Sequence, residues 1–377
     1  MHLGRAFLFG ISLGFGIAFG LVWAATCPAK ADALRVAMYN TELDRDGPGL
    51  LLRDILNGAD DIEGVAHVVR AADADILLLT RFDYDHGLAA LVAFNGLLGP
   101  HAYPHVFARR PNTGRFTGMD IDRDGRAGEP EDSQSFGAFA GQNGMAILSR
   151  FPFVAEDVRD FSELLWRDLP NARLPQNGDD PFWPAEVLDE LRLSTVGHWD
   201  VPVVLPDGDR IHLWAFHGSP PVFDGPEDRN GLRAADEVAF WQRYLDGALE
   251  HEPSENPFVI LGTANIDPVL GEGRHDAIRA LLDDPRTQDP EPKSVGAADQ
   301  GRSTDTVDWA EDVQSGNLRV DYVIPDARLN VLDTGVIWPS ASDPNPAVPF
   351  EKVNASRHRL VWVDIAMPAA ETTDLSQ

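Results

Sequence analysis

Short apolar runs recur along this chain, and most of them end in a polar or charged cluster. Runs of this kind, bounded by turn-forming residues, are typical of buried β-strands. The predicted strands are 34–40, 75–79, 144–148, 211–217, 258–262, 319–324 and 359–365.

Helical spacing of apolar residues occurs between some of these strands. One predicted helix has Ile62, Val65 and Val69 on a common face, and a second has Leu232, Ala235, Val238 and Leu245. Because helices alternate with strands over only part of the chain, the pattern favours an α/β layered fold built on mixed sheets. Long loops at 109–143, 218–230 and 284–317 are rich in Gly, Pro and Asp. Loops of this length in a compact domain usually carry function.

Composition limits the size of the fold and the kinds of partner. The chain has 377 residues, of which 44% are hydrophobic, and this supports one large domain or two halves packed as one. The formal net charge of −29 argues against a grip on extended nucleic acid, which needs clustered cations. A small local basic pocket is compatible with this charge.

The N-terminus has the pattern of a targeting segment. His2 and Arg5 precede an apolar run over 6–25, and an A-x-A motif at 29–31 follows. We therefore predict a secretory signal over 1–31, a domain over 32–367, a flexible tail over 368–377 and a secreted or periplasmic location. An uncleaved N-terminal membrane anchor is the alternative. Cys27, the only cysteine, lies in the predicted signal, so the mature chain would contain no thiol. Cleavage of the signal would also leave the chain without a membrane segment.

Seven segments carry a family resemblance through their order and spacing. They read AMYNTEL, DILLLTRFDYD, GQNGMAILSR, WAFHGSPPVFDGPEDRNG, VILGTANIDP, LRVDYVI and ASRHRLVWVDI. Together they resemble the endonuclease/exonuclease/phosphatase superfamily, most closely its secreted bacterial members, over roughly residues 34–367. The resemblance implies a DNase I-like fold, which is a four-layer α/β sandwich of two facing mixed β-sheets flanked by helices. It also implies a Mg²⁺-dependent phosphoesterase site at one edge of the sandwich.

The resemblance further implies roles for individual residues. Asn40 matches the amide ligand of the family's metal, and His217 matches the histidine that contacts phosphate. Asn265 and His358 match the final residues of the Gly-Asp-x-Asn and Ser-Asp-His motifs, and Asp321 matches the aspartate of a further catalytic segment.

This sequence departs from the family pattern at three acidic positions. Arg81 replaces the metal-binding glutamate, while Thr263 and Arg357 replace the aspartates of the last two motifs. Asn143 also stands where the family often has tyrosine. A guanidinium about 4 Å from a dication would be opposed by about 2 kcal/mol even in bulk water. We therefore expect no Mg²⁺ at this position.

Guanidinium groups have a forked geometry that suits phosphate, sulfate and carboxylate groups. We therefore predict an anion-binding pocket formed by Arg81, Arg357 and Thr263, for a small phosphorylated or otherwise anionic ligand. The alternative is that Arg81 turns outward to pair with Asp83 or Asp85, and Arg357 pairs with Glu351.

The preferred interpretation is a family member with lost or impaired metal-dependent phosphoester hydrolysis and a residual cationic pocket. One alternative is an active phosphohydrolase of nuclease or phosphatase type, with a displaced metal held by Asn40, Asp83, Asn265 or Asp321. A second alternative is a non-catalytic module that binds a partner through its long loops. The ligand and the oligomeric state stay open.

A separate loop has the spacing of a calcium site. Asp120, Asp122, Asp124, Gly125 and Glu131 match the D-x-[DN]-x-[DN]-G-x₅-E pattern. Alternate aspartates around a glycine turn bring several oxygens to one point, as Ca²⁺ requires. We predict a stabilising calcium at this loop, and a solvated acidic hairpin is the alternative.

Overall fold

Two β-sheets and the helices on their outer faces form the computed structural model, which describes residues 33–309, 316–344 and 346–368. The strands are β1 (Leu34–Asn40), β2 (Ile76–Thr80), β3 (His105–Phe107), β4 (Met145–Ser149), β5 (Arg159–Asp160), β6 (Gln176–Asn177), β7 (Asp180–Pro181), β8 (His198–Val204), β9 (Arg210–His217), β10 (Phe258–Thr263), β11 (Asp321–Pro325), β12 (Asn330–Val336) and β13 (Val361–Ala366). The helices are α1 (Leu50–Asn57), α2 (Asp60–Ala72), α3 (Ala89–Leu97), α4 (Ala185–Leu188), α5 (Arg229–Leu245), α6 (His275–Leu282), α7 (Val295–Asp299) and α8 (Phe350–Val353).

Both large sheets are mixed. The first has six strands in the order β12-β13-β1-β2-β4-β3, with β1 and β2 parallel and the other neighbours antiparallel. The second has five strands in the order β11-β10-β9-β8-β5, and β9 and β10 are its parallel pair. A separate hairpin pairs β6 with β7.

Alternating side chains on the strands build the layers. On β1, Val36 and Met38 face a core shared with the second sheet, whereas Ala37 and Tyr39 face the core under α1, α2 and α3. A third core, rich in tryptophan and phenylalanine, lies between the second sheet and helices α5 and α6. The order of layers is therefore helix, sheet, sheet, helix, which confirms the predicted sandwich.

The predicted elements agree closely with the structure. All seven predicted strands occur as β1, β2, β4, β9, β10, β11 and β13, with shifts of one or two residues at most ends. The two predicted helices are α2 and α5.

The predicted signal over 1–31, its Cys27 and the tail from 369 onward lie outside the described residues. Among the residues that the structure does describe, no helix is both long and apolar enough to cross a membrane.

Candidate functional site at the sheet edge

Strand ends from both sheets bring the predicted site residues to one edge. Asn40 ends β1 beside Thr80 of β2 in the first sheet. In the second sheet, His217 ends β9 beside Thr263 of β10, and Thr263 in turn pairs with Asp321 at the start of β11. The ends of parallel strands and the starts of their antiparallel neighbours therefore meet at this edge.

A buried hydrogen-bond network joins the two sheets here. Thr263 Oγ1 donates to Asp321 Oδ1 at 2.7 Å, and the other Asp321 oxygen lies 2.7 Å from His358 Nδ1. Asn40 Nδ2 lies 3.3 Å from both Thr263 Oγ1 and His358 Nε2. Because an amide nitrogen only donates, Nε2 accepts and His358 carries its proton on Nδ1, which donates to Asp321. The network thus engages both oxygens of Asp321.

Both arginines of the predicted anion pocket lie at the same cavity. Arg81 Nε donates to Asp44 Oδ1 at 2.8 Å, and its Nη1 donates to Glu42 Oε1 at 2.9 Å. Arg357 donates to Glu42 from its backbone N at 2.7 Å and from Nη2 at 2.6 Å. Glu42 therefore bridges the two guanidinium groups.

These ion pairs correct the charge that the sequence analysis assigned to the pocket. Among the described residues, the two guanidinium groups pair with the carboxylates of Glu42 and Asp44, so these four groups together carry no net formal charge. Burial alone would raise the pKa of Glu42, but hydrogen bonds from Arg357 and the charge of Arg81 lower it to about 2. Within the described residues, Arg81 pairs with Asp44 and Glu42, and not with Asp83 as in the outward alternative.

His217 is buried at the base of the cavity, and its Nδ1 has no hydrogen-bond partner among the described residues. Burial lowers the pKa of His217 to about 3, with a further contribution from the charge of Arg81. The imidazole is therefore neutral at neutral pH. It offers an anion no positive charge.

Strained backbone marks the same region. Glu42, Arg81, Asn143 and Asn265 all have a positive φ, between 48° and 56°, which is uncommon outside glycine. Asn265 Nδ2 donates to the carbonyl of Gly218 at 2.8 Å and so ties the end of β10 to the loop after β9. Left-handed residues concentrated in one place are typical of functional sites.

The predicted long loops form the walls of the cavity, which has a volume of about 450 Å³. Phe136 and Asn143 come from the loop at 109–143, Phe223 comes from 218–230, and Trp309 comes from 284–317. A neighbouring cavity of about 540 Å³ shares five lining residues with the first, which are Phe136, Asn143, His217, Pro220 and Phe223. The two cavities therefore form one cleft with two chambers.

The comparisons agree with this geometry. The model of the Endonuclease/Exonuclease/phosphatase family matches residues 39–358. The chain belongs to this family. A search of curated proteins found no match.

Solved structures of the endonuclease/exonuclease/phosphatase family share the fold. A member from Beutenbergia cavernae DSM 12333 is 19% identical, with a TM-score of 0.52, over 89% of this chain and 72% of its own. A member from Leptotrichia buccalis C-1013-b is 14% identical, with a TM-score of 0.51, over 89% of this chain and 100% of its own. A mannosyl-6-phosphatase of Bacteroides thetaiotaomicron VPI-5482 is 15% identical, with a TM-score of 0.50, over 89% of this chain and 100% of its own. At these identities the likeness shows the fold alone.

The Mg²⁺ that the family implies does not fit the residues at this edge. A hard dication needs several oxygen ligands, usually including carboxylates. The nearby carboxylates of Glu42, Asp44 and Asp321 already bind arginine, threonine or histidine side chains. Asn40 Oδ1 is buried without a partner among the described residues, but one amide oxygen beside two guanidinium groups does not make a metal site.

A displaced metal held by the alternative ligand set does not fit either. Asp83 accepts the backbone N–H groups of Arg45 and Asn143 at 2.9 and 3.0 Å, so its carboxylate joins two loops. Burial raises the pKa of Asp83 to about 7. Both oxygens of Asp321 are also engaged, by Thr263 and His358, so neither carboxylate of this ligand set is free for a metal.

The predicted calcium loop does not take part in the ion pairs of Arg81 and Arg357 with Glu42 and Asp44. The carboxylate oxygens of Asp120, Asp122 and Asp124 lie within 4.8 Å of one another, whereas Glu131 is exposed and outside that cluster. Asp132, which the sequence analysis did not assign, accepts backbone N–H groups of Ile121, Gly128 and Glu129 and closes the loop. Calcium at this loop stays a prediction.

Sequence reasoning missed the acids that hold the two arginines. Glu42 and Asp44 follow β1 directly, and the signal was their position two and four residues after Asn40. It also missed Phe136 and Trp309 as cavity walls. Nothing in the local pattern of these aromatic residues distinguishes them from ordinary loop residues.

Proposed function

We propose that this endonuclease/exonuclease/phosphatase-family protein has lost metal-dependent phosphoester hydrolysis and binds a small anionic ligand in its cleft without turning it over. The observation that carries this proposal is the convergence of Arg81 and Arg357 on Glu42 at the sheet edge. There the guanidinium groups take the positions of two acids in the family pattern.

The protonation states of the site support the loss of hydrolysis. A general base works best when its pKa lies near the operating pH. His217 has its pKa lowered to about 3, chiefly by burial, and so is a weak base. His358 Nε2 accepts from Asn40, and Asp321 is bound on both oxygens. Neither group is placed to activate water.

The guanidinium geometry supports anion binding. A guanidinium carries five donor hydrogens, and Arg81 directs Nε, Nη1 and Nη2 at Asp44 and Glu42. Donor hydrogens that these contacts do not use remain for a ligand. Glu42 and Asp44 compete with any incoming anion, so the expected affinity for a simple anion is low.

Calorimetric titration with inorganic phosphate tests the binding half of the proposal. Phosphate should bind the wild-type protein, and Arg81→Gln or Arg357→Gln should weaken the binding at least several-fold. Arg53→Gln is the matched control, because Arg53 is an exposed, ion-paired arginine on α1, away from the cleft. Equal binding by all four proteins would overturn the assignment of the pocket.

Release of nitrophenol from mono- and diesters tests the catalytic half. With Mg²⁺, Mn²⁺ or Ca²⁺ present, no release above background is expected. Turnover that disappears with EDTA and with His217→Ala would show an active phosphohydrolase with a rearranged site. Failure of both assays, with neither an anion bound nor an ester cleaved, would leave the partner-binding module as the better interpretation.

Secretion is part of the same proposal. The charged start, the apolar run and the A-x-A motif before residue 32 support export and cleavage. Mass spectrometry of the protein recovered from its native host should find an N-terminus near residue 32. An intact N-terminus in the membrane fraction would instead support the anchor.

A further inference from the structure

Exposed apolar side chains gather at the mouth of the cleft. Large hydrophobic residues with high exposure are uncommon in the described chain, and three of them, Phe136, Phe223 and Leu270, line the first chamber. Phe136 is 65% exposed and Phe223 is 85% exposed. Both phenylalanines also line the second chamber. Exposed apolar side chains that line one cavity together are typical of a binding surface.

The loop holds Phe223 in this position at a conformational cost. Its φ of 68° is left-handed, which is a true outlier for a bulky residue. Asn230 fixes both flanking residues, because its Nδ2 donates to the carbonyl of Val222 at 2.7 Å and its backbone N donates to Asp224 at 2.6 Å. The hydrogen bonds hold a strained loop that leaves the Phe223 ring in solvent. This arrangement points to a role of the ring in binding, and not in stabilising the fold.

Polar atoms without partners lie deeper in the cleft. Asn40 Oδ1, Asn143 Oδ1 and His217 Nδ1 are buried and have no hydrogen-bond partner among the described residues. All three residues line the first chamber together with Arg81 and Arg357. Buried polar atoms are normally hydrogen-bonded, so these atoms indicate a polar group of a ligand at the base.

The size of the cleft argues against a bare inorganic anion as its ligand. The first chamber alone has about 450 Å³, and pockets of about 300–1,000 Å³ typically hold whole organic ligands. Pro220, Pro221 and Leu318 add to the apolar lining of the first chamber. A phosphate at the arginines would leave this lining without contacts.

We propose that the cleft binds an organic phosphate ester with an apolar group, whose anionic end lies at Arg81 and Arg357 and whose apolar end packs against Phe136 and Phe223. This inference rests on the proposed anion site and adds the class of ligand. The arginines contribute little net affinity because Glu42 and Asp44 already pair with them. The apolar rim can supply the affinity instead, because burial of apolar surface is favourable without any net charge.

Phenyl phosphate and methyl phosphate are the probes, since they share the anionic head and differ in the apolar group. By calorimetry, phenyl phosphate should bind at least about tenfold more tightly, a factor that corresponds to about 1.4 kcal/mol. Phe136→Ala and Phe223→Ala should each lower the affinity for phenyl phosphate toward that for methyl phosphate. Phe116→Ala is the control, because Phe116 is 54% exposed and lines neither chamber. Melting temperatures verify that each variant folds.

The outcomes separate this inference from the function on which it rests. Equal affinity for the two esters, both lost in Arg81→Gln, would overturn the apolar subsite and leave the anion site standing. Release of phenol with the selectivity retained would overturn the loss of hydrolysis and leave the ligand class standing. Binding to phosphatidylcholine vesicles that depends on Phe223, without binding of either soluble ester, would overturn the inference and assign the rim to a membrane surface.

Discussion

Glu42 accepts hydrogen bonds from both cleft arginines, so its ionisation and their positions are coupled. Its pKa of about 2 lies below the ordinary glutamate value of 4.5 because the charge interactions outweigh the effect of burial. A carboxyl whose pKa is lowered by folding stabilises the folded state above its unfolded pKa. This contribution is therefore complete above about pH 4.5 and is lost as the pH falls toward 2.

Glu42→Gln should change anion binding and stability in opposite directions. The variant removes the internal competitor of the ligand, so inorganic phosphate should bind about tenfold more tightly by calorimetry. Loss of the ionised group should cost at most about 3 kcal/mol of unfolding free energy at pH 7. In urea unfolding, the stability difference from wild type should shrink as the pH falls from 4.5 toward 2.

Glu250→Gln provides the control for these measurements, because Glu250 is exposed and lines neither chamber. It should leave both phosphate affinity and stability near the wild-type values. A Glu42→Gln protein that binds phosphate no better than wild type would show that the carboxylate does not compete with the ligand.

For the cleft arginines, the sequence predicted their location in the fold better than it predicted their ion-pair partners. The family resemblance of the strand-end motifs predicts that Arg81 and Arg357 lie at one pocket, and the sheet registers bring those strand ends together. Their partners depend on side-chain direction after β1, which is set by the left-handed backbone of Glu42 at a φ of 48°. A positive φ at a glutamate has no local sequence signal, so the neutralising pair was not predicted.

Among the secondary-structure elements, β10 and its parallel neighbour β9 position His217 and Thr263 through a close contact at Gly262. A Cβ at Gly262 would lie 2.0 Å from the Phe216 carbonyl oxygen and 2.8 Å from its ring. Gly262→Ala should therefore force the two strands apart and lower the unfolding free energy by about 3 kcal/mol. Urea unfolding measures the loss, and phosphate binding should fall with it because the strand ends move.

Gly96→Ala is the matched glycine control on α3. A Cβ there would meet no atom within 4 Å, and the residue lies in a helix. This substitution should raise the unfolding free energy by about 0.5–1 kcal/mol, since alanine loses less backbone entropy on folding. A Gly262→Ala protein as stable as wild type would show that the strands separate without cost at this contact.

The strands that the sequence analysis missed lack the apolar pattern of the others. β8 contains Asp200 and Pro202, which argue against a central strand, yet Asp200 is buried and bonded by His212 and Tyr244. β12 is an edge strand with only two buried residues among its seven and a register shift after Val331. β8 forms because its buried polar residues find partners elsewhere in the fold, and β12 forms although much of it faces solvent. Neither condition can be recognised from the neighbouring residues in the sequence.

The acidic loop at 120–131 is expected to respond to Ca²⁺ through the stability of the protein. If the loop binds Ca²⁺, the ion should stabilise the folded protein by about 2.7 kcal/mol at one hundred times its dissociation constant. The melting temperature should rise with Ca²⁺ and fall back with EGTA. Asp122→Asn should abolish most of the rise, because Asp122 is one of the three carboxylates that converge.

Asp207→Asn tests the specificity of this effect, since Asp207 is an exposed aspartate in a turn before β9 and lies outside the loop. It should respond to Ca²⁺ as the wild type does. An unchanged melting temperature in wild type with Ca²⁺, or an equal rise in Asp122→Asn, would identify the loop as a solvated acidic hairpin.

Across the whole molecule, the formal charge of −29 places the arginine cluster in an acidic protein. The two sheets concentrate Arg81, Arg357 and their acids at one edge, where opposite charges cancel locally. Long-range attraction of polyanions is therefore weak, and recognition depends on contacts inside the cleft. The family match gives the fold of this edge, but its chemistry follows from the residues that lie there.

Restoring the three family acids should convert the cluster into a metal site. In the triple variant Arg81→Glu, Thr263→Asp, Arg357→Asp, the three new carboxylates would join those of Glu42, Asp44 and Asp321, and Glu42 and Asp44 would lose their arginine partners. Mutual repulsion should lower the melting temperature in EDTA, and Mg²⁺ or Mn²⁺ should raise it again by binding only the folded state.

The variant Arg81→Gln, Thr263→Asn, Arg357→Asn separates the loss of the guanidinium groups from the gain of carboxylates, since it lacks the guanidinium groups but adds no carboxylate. Mg²⁺ should leave this neutral variant and the wild type unchanged. An equal metal response in all three proteins would show that the arginines do not occupy a former metal position.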